Sequence, residues 1–220
     1  SVLSRRFQNE HKKGGPDVEI INFGQLGADF PALYDNNFRL ANKVRPDEIV
    51  YVWTINDVPS KGEARRERAL LNKYINIDNP YLEKKRGLPL FRLVSGILIE
   101  RRISTLTVKW YHLLYGSENA AGMKEVRGYL RRMKREAAAK GADFRVALFP
   151  MPVGTAESYP FQDANNTMKK MLKEEGIPCL DLTSAVLVKP ADELAVHKLD
   201  NHPNQLAHKL AAGALYDFVK

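Results

Sequence analysis

The sequence predicts an α/β fold with a parallel sheet, and three observations lead to this prediction. Glu48–Trp53 and residues 144–149 are short, almost entirely apolar runs, as expected for strands that are covered on both faces. Longer segments with the periodicity of amphipathic helices lie between such runs. Glycine and proline residues separate the two kinds of segment. This alternation is typical of an α/β sandwich built on one parallel sheet.

The N-terminal part of the chain has the pattern of one strand–helix–strand unit. Val2–His11 resembles the end of an amphipathic helix, and a turn rich in glycine follows it. The β-branched run 18–23 predicts a strand, residues 31–44 predict a helix, and Glu48–Trp53 predicts a second strand. Because the whole pattern occupies only about 35 residues, we expect a parallel βαβ unit.

Residues 60–117 show no clear strand pattern and are predicted to be a helical insertion, with helices at 64–74 and 90–115. Three interpretations of this insertion stay open: a hairpin packed on the core, a lid over an acyl pocket, and a patch resting on a membrane surface. The remaining predicted elements are a helix at 118–140, strands at 144–149 and 177–182, and helices at 161–175 and 203–219. Pro203 suits the first turn of the last helix.

The composition is that of an ordinary globular protein. The chain has 220 residues, enough for one domain with a full core, of which 44% are hydrophobic and 27% charged. No segment is apolar for long enough to suggest a membrane span, and no pattern indicates the compartment. The single cysteine, Cys179, excludes an internal disulfide and a cysteine-based zinc site, and we interpret it as a structural thiol.

The net charge of +8 is concentrated in basic runs at residues 65–68, 84–86, 101–102 and 131–135. A basic protein can bind nucleic acid, an anionic lipid surface or an acidic polymer. No zinc-finger or RNP-like pattern is present, so we expect no nucleic-acid partner. We interpret the runs as solvated helix faces, with weak contact to an anionic surface as the alternative.

Three predicted loops contain residues that could bind a ligand. They are expected at the edge where parallel sheets bind ligands. Gly27 lies in the loop after the strand at 18–23, where a glycine can present an unobstructed N–H to a ligand. Asn56 and Asp57 follow the second strand. Near the C-terminus, Asp200 precedes His202 by two residues, a spacing that suits a base whose partner carboxylate lies in the same loop.

Each of these segments also has a structural interpretation when it is taken alone. A loop glycine is usually part of a turn, and Asn-Asp after a strand is usually a turn or a helix cap. A metal site that joins His197, His202 and His208 to Asp200 is a further alternative, but the spacings match no common zinc pattern. We therefore expect no metal and no cofactor, and we interpret His208 as a buried hydrogen-bonding residue.

Taken together and in this order, the segments resemble the SGNH (GDSL-type) hydrolase superfamily over nearly the whole chain. The family pattern is Gly-Asp-Ser near the start, a glycine after the second strand, Gly-x-Asn-Asp after the third, and Asp-x-His-Pro or Asp-x-x-His near the end. Gly27 matches the second element, Asn56 the third, and Asp200 with His202 the last. The resemblance implies that residues 1–220 form a single three-layer α/β/α sandwich with a flavodoxin-like parallel sheet, of the SGNH-hydrolase type.

The resemblance implies a serine ester hydrolase that acts on a small acyl ester or an acylated carbohydrate. His202 is then the base that takes the serine proton, and Asp200 holds the imidazole in the required tautomer. The N–H of Gly27 and the side-chain amide of Asn56 form the oxyanion hole. Asp57 supports the loop by accepting backbone hydrogen bonds. An O-acyltransferase with the same triad is an alternative, and the oligomeric state stays open.

Two departures from the family pattern limit these implications. Thr54 replaces the glycine of Gly-x-Asn-Asp, and we expect it to narrow the floor of the pocket. The chain contains no Gly-Asp-Ser, and neither Ser1 nor Ser4 has that context. We therefore expect an N-terminally incomplete domain, whose missing strand would fill a gap between the strand at 18–23 and Glu48–Trp53. A pseudoenzyme or binding module that has kept the fold and lost the serine is the alternative of a different class.

Overall fold

The computed structural model describes residues 2–12, 17–25, 30–41, 43–75, 89–197 and 200–220. The chain divides into two units: unit 1 comprises Ser1–Asp57 and Arg127–Lys220, and unit 2 comprises Val58–Val126. The described residues form an α/β fold with a parallel sheet, which confirms the predicted fold class at that level.

Most of the predicted helices and strands are confirmed within a few residues. The strands are β1 (Glu48–Trp53), β2 (Asp143–Leu148), β3 (Cys179–Asp181), β4 (Ala195–His197) and β5 (Asp200–Pro203). The helices are α1 (Val2–His11), α2 (Phe30–Ala32, a π-helical segment Leu33–Phe38, and Arg39–Ala41), α3 (Gly62–Ile75), α4 (Pro89–Tyr115), α5 (Ala120–Ala138, after the 3₁₀ turn Ser117–Asn119), α6 (Gln162–Glu174), α7 (Thr183–Val186), α8 (Ala191–Leu194) and α9 (Gln205–Val219).

The sheet of unit 1 has the strand order β1–β2–β3, and all of its pairs are parallel. On one face, the ring of Phe30 in α2 packs edge-on against Tyr51 and Trp53, with centroids 5.2 and 5.3 Å apart. On the other face, Arg145 of β2 donates a hydrogen bond to the carbonyl of Phe218 in α9. Neighbouring residues of a strand point to opposite faces of the sheet, so the contacts with α2 and α9 lie on opposite sides. Helices therefore contact both faces, which is compatible with a three-layer arrangement.

The outer edge of β1 is unpaired among the described residues. The N–H of Asp143 donates to the carbonyl of Asp47, so the odd-numbered residues of β1 turn their backbone groups towards β2. The N–H and C=O groups of Glu48, Val50 and Val52 therefore face away from β2. The side chain of Val52 is also exposed.

The predicted strand at residues 18–23 is wrong, and so is the βαβ unit built on it. The described residues 17–25 have no strand pairing, although Val18 and Ile20 are half-buried and Glu19 and Ile21 are exposed, as in an alternating strand. A run with strand propensity forms a strand only when a neighbouring edge accepts its backbone hydrogen bonds, and the described residues supply no such neighbour here.

Unit 2 contains the segment 60–117, and its described residues are mostly helical, which confirms the predicted helices at 64–74 and 90–115. Asn119 is 1% exposed, and its side chain connects other parts of the unit through hydrogen bonds. Its Oδ1 accepts from the N–H of Lys61 at 2.8 Å, and its Nδ2 donates to the carbonyls of Leu114 and Pro59 at 2.9 and 3.1 Å. Among the described helices, even the 27-residue α4 is not long and apolar enough to cross a membrane.

The C-terminal helix α9 begins later than predicted. Pro203 ends β5 instead of opening the helix, and Asn204 is the N-cap, with extended backbone angles (φ −87°, ψ −176°). The prediction failed because Asn satisfies the first free N–H groups of a helix with its side chain, whereas Pro only tolerates the first turn. The hairpin β4–β5 was not predicted at all.

Candidate active site

The hairpin β4–β5 carries Asp200 and His202 on a distorted strand. β4 and β5 pair antiparallel, with Ala195 opposite Pro203 and His197 opposite Asp200. Between these pairs, one residue of β4 faces two residues of β5, one of which is His202, so the register contains a β-bulge. A bulge bends its strand and redirects a side chain, and bulges are common beside active sites.

The Asp200 carboxylate and the His202 imidazole are hydrogen-bonded to each other. Asp200 Oδ1 accepts from the backbone N–H of His202 at 3.0 Å and is also paired with the ring atom Nδ1. A carboxylate at Nδ1 favours the tautomer that carries its proton there, which leaves Nε2 with the lone pair of a base. The side chains are 81% exposed for His202 and 47% exposed for Asp200, so the imidazole is accessible from solvent.

The hydrogen bonds from His202 favour the ionised form of the Asp200 carboxyl. The bond from the imidazole, followed by the bond from the backbone N–H, lowers the pKa of Asp200 below its ordinary value. His197, the cross-strand neighbour, lowers it further through its charge. An ionised carboxylate can stabilise the positive charge that forms when His202 takes a proton.

Two contacts place this hairpin at the carboxyl end of the sheet. Arg145, near the start of β2, binds the carbonyl of Phe218 at the end of α9. Phe149, directly after β2, packs against the ring of His208 near the start of α9, with centroids 5.4 Å apart. Helix α9 therefore runs antiparallel to β2, and the hairpin that precedes α9 lies beyond the carboxyl ends of the strands.

The loop after β1 ends at the same edge of the sheet and is held by Asp57, which is 7% exposed. Asp57 Oδ2 accepts from the hydroxyl of Tyr51 at 2.7 Å and from the N–H of Thr54 at 2.9 Å. Its Oδ1 accepts from Thr54 Oγ1 at 2.7 Å. Burial raises the pKa of Asp57, and the hydrogen bonds from Thr54 and Tyr51 oppose this rise.

Asn56 is exposed at the tip of this loop. Its Oδ1 lies 3.0 Å from Thr54 Oγ1, so the threonine hydroxyl is shared between Asn56 and Asp57. Within the described ranges, Nδ2 of Asn56 has no hydrogen-bond partner. The amide N–H groups of Asn56 are therefore available as donors at the carboxyl end of the sheet. A glycine in place of Thr54 would lack the hydroxyl that orients this amide.

The structure brings the predicted site residues together in two groups. Asp200 and His202 are in direct contact, and Asn56 and Asp57 are linked through Thr54. The first group lies on the hairpin beyond the carboxyl ends of the strands, and the second follows β1 at its carboxyl end. Gly27 lies outside the described residues, so its predicted place in the oxyanion hole stays a prediction.

Sequence reasoning missed three contributors to the site. Tyr51 and Thr54 bind Asp57, and Asn204 caps α9 directly after the hairpin. The cap had a detectable signal, because Asn immediately precedes an apolar helical pattern. No sequence signal indicated the hydrogen bond of Tyr51, since its position in a strand predicts only burial.

The histidines do not form a metal site in the described part of the chain. No three His, Cys, Asp or Glu side chains there are grouped so that they could hold an ion. His208 was predicted to be buried, and this is wrong, because the residue is exposed. Its ring packs against the ring of Phe149. It lies on the outer side of an amphipathic helix whose apolar side is occupied by alanines such as Ala207 and Ala211.

The basic run at 131–135 is engaged in contacts within unit 1. Arg131 Nε binds Glu175 at 2.5 Å. Lys134 Nζ donates to the carbonyls of Glu175 and Gly176 at 2.8 and 2.9 Å, which satisfies backbone groups just after α6. Arg132 lies over two tyrosine rings. These cations therefore contribute to helix packing in addition to the net charge.

The chain matches no protein-family model, no curated protein and no solved structure. Its function is therefore inferred from the geometry of the site and from the sequence pattern alone.

Proposed function

We propose that the chain is the larger part of a serine ester hydrolase of the SGNH (GDSL) type. The observation that carries the proposal is the hydrogen-bonded pair Asp200–His202 on a bulged hairpin beyond the carboxyl ends of a parallel sheet. Acyl transfer to a serine needs a base that is oriented by a second group, and this pair has that arrangement.

We also propose that the sheet is flavodoxin-like and belongs to a three-layer α/β/α sandwich. In a flavodoxin-like sheet the first strand of the domain lies inside the sheet, between the second and third strands. Among the described residues, the unpaired edge of β1 and the unpaired run 17–25 support this proposal, because both would be neighbours of such a strand. The proposal therefore assigns the central strand, and the Gly-Asp-Ser that follows it, to a segment outside these 220 residues.

In the proposed mechanism, Nε2 of His202 takes the proton of the serine hydroxyl as the serine oxygen attacks the ester carbonyl. Asp200 stabilises the imidazolium, which then gives its proton to the departing alcohol. Water repeats the sequence on the acyl-enzyme: His202 takes a proton from water, and the serine leaves with that proton. The serine hydroxyl and the neutral imidazole are thereby restored, and no cofactor takes part.

Asn56 is the proposed donor to the tetrahedral oxyanion, together with the N–H of Gly27. The support is the hydroxyl of Thr54, which engages Asn56 Oδ1 and leaves the amide N–H groups as donors. Loss of one oxyanion donor costs about 10²–10³-fold in kcat. Asp57 has the supporting role, because it fixes the backbone N–H of Thr54, two residues before Asn56.

The absence of Gly-Asp-Ser from the 220 residues favours one other candidate, a non-catalytic binding module of the same fold. The two candidates differ in a single observable, hydrolysis of an ester by the protein that includes its upstream sequence. Addition of an acceptor alcohol to the same assay separates a hydrolase from an O-acyltransferase, because only the transferase forms a new ester.

The test begins with the coding sequence upstream of Ser1, which we expect to encode Gly-Asp-Ser. The protein extended by that sequence should hydrolyse p-nitrophenyl acetate, and H202A should reduce kcat by roughly 10³-fold or more. H208F, which removes an exposed imidazole six residues away but keeps a ring against Phe149, is the matched control and should keep the activity. Unchanged activity in H202A, or an upstream sequence without a serine motif, rejects the proposal.

A further inference from the structure

The side chain of Asn204 joins the hairpin to the last helix. Its Oδ1 accepts from the N–H groups of Leu206 and Ala207 at 2.9 and 3.1 Å, which caps α9. Its Nδ2 donates to the carbonyls of Glu193 and Ala195 at 2.8 and 3.1 Å. The amide orientation is determined by these partners, because the reverse orientation would set NH₂ against N–H groups and oxygen against carbonyls.

The backbone of Asn204 adds a third anchor. Its N–H donates to the carbonyl of Leu194 at 2.8 Å, so three consecutive carbonyls, at residues 193–195, all bind this one residue. These carbonyls lie at the end of α8 and the start of β4, while β5 ends at Pro203, directly before Asn204. The open end of the hairpin is therefore fastened, on both strands, to the first turn of α9.

We infer that Asn204 is the positioning residue of the Asp200–His202 pair, an inference that rests on the proposed function. The hairpin strands pair only with each other among the described residues, and an isolated two-stranded hairpin is marginal in water. Its active part is a bulged segment that carries two exposed side chains. The bonds of Asn204 hold this hairpin in a fixed place relative to the sheet, through α9.

The chemistry of the side chain explains why few residues could replace asparagine. Asn204→Asp keeps the cap but sets a carboxylate oxygen against two carbonyls. Asn204→Ser also keeps the cap, because a serine hydroxyl accepts from the same N–H groups, but it loses both side-chain bonds, to Glu193 at the end of α8 and to Ala195 at the start of β4. N204S is therefore the informative variant, since it weakens the attachment of the hairpin to one backbone bond, at Leu194, while it preserves the start of α9.

The test uses the 220-residue chain and measures the pair directly. In the parent, ¹⁵N NMR of His202 should show the tautomer with the proton on Nδ1, and ¹³C NMR should show the Asp200 carboxyl titrating below its ordinary pKa. In N204S the two tautomers should mix, and the Asp200 titration should return towards its ordinary range. His197 is the other titratable group that faces Asp200, and this residue is the same in both proteins.

A second variant separates positioning from stability. Asn165 is 8% exposed in the same unit, and its Nδ2 donates to Asp181 and to Thr183 at 3.2 and 3.0 Å, so N165S also removes two amide hydrogen bonds. It should leave both NMR signals as in the parent. Parent-like signals in N204S, or equal changes in N204S and N165S, overturn the inference.

In the extended protein, N204S should lower kcat by about 10²-fold with little change in KM, because a displacement of about 1 Å in a reacting group has that effect. Equal kcat values for N204S and the parent in an active enzyme also overturn the inference. The NMR readout does not depend on ester hydrolysis, so failure of the proposed function and failure of this positioning role give different results.

Discussion

Asp57 and Thr54 are joined by two hydrogen bonds, one from the threonine N–H at 2.9 Å and one from its hydroxyl at 2.7 Å. Asp181 and Thr183 repeat this pairing at the end of β3, at 3.0 Å from the N–H and 2.6 Å from the hydroxyl. Two of the three described parallel strands thus end beside an aspartate–threonine pair. In each pair the carboxylate accepts hydrogen bonds from the N–H and the hydroxyl of the threonine.

The two aspartates differ in their titration because their surroundings differ. Burial raises the pKa of Asp57, and its neighbours are uncharged. Burial also acts on Asp181, but hydrogen bonds from Thr183 and from Lys169, whose Nζ lies 3.0 Å away, outweigh it and lower the pKa. The two carboxyls should therefore affect stability with opposite signs: folding favours the protonated form of Asp57 and the ionised form of Asp181.

The hydroxyl of Thr54 should contribute measurably to stability. Thr54→Val keeps the shape of the side chain but leaves Oδ1 of a buried aspartate without its donor, at a cost of about 2 kcal/mol in the free energy of unfolding. Urea unfolding at neutral pH measures the difference. Thr54→Ser keeps the hydroxyl and should cost much less. Equal losses in the two variants would show that the hydroxyl is unimportant.

Asp57 should make stability fall as the pH rises. Its folded-state pKa is raised by burial, so the folded protein keeps this proton to a higher pH than the unfolded chain does. The free energy of unfolding then decreases between the unfolded pKa of about 4 and the folded value. Asp57→Asn does not titrate and should lack this decrease. Urea unfolding at a series of pH values compares the two slopes, and identical slopes contradict the prediction.

Cys179 should react slowly with thiol reagents in the folded protein. Burial, followed by the nearby charge of Asp181, raises the pKa of the thiol to about 11, so little thiolate is present near neutral pH. The rate of modification by a disulfide reagent should increase strongly when the protein is unfolded in urea. Similar rates in the folded and unfolded chain would indicate an accessible thiol and reject this interpretation.

Unit 2 should depend on Asn119 for its stability. Asn119→Ala removes three hydrogen bonds at once and leaves two buried carbonyls and one N–H without partners, at an expected cost of about 3 kcal/mol or more. Hydrogen exchange of α3 and α4 amides measures the loss within the unit. Asn72→Ala, on the exposed side of α3, is the control and should have little effect. Unchanged exchange in Asn119→Ala would contradict the prediction.

The fold could be predicted from the sequence where the local residue pattern alone determines the secondary structure. The apolar run of β1 predicted a strand whose bounds, Glu48–Trp53, the structure confirms. The run at 18–23 also has strand propensity but has no paired neighbour among the described residues, and pairing depends on residues far along the chain. In the candidate site, the spacing of Asp200 and His202 was readable, but the bulge between them follows from a register that no single strand determines.

The outer edge of β1 also affects how the chain behaves in solution. Its outward N–H and C=O groups, which are unpaired among the described residues, lie beside the exposed Val52 and form an edge of the kind that pairs with strands from other molecules. The charged residue at its start, Glu48, is half-buried and paired with Arg145 of β2 at 2.9 Å, so its charge does not protect this edge. Preparations of these 220 residues should therefore self-associate as concentration rises, and a lysine at position 52 is the simplest way to keep them monomeric.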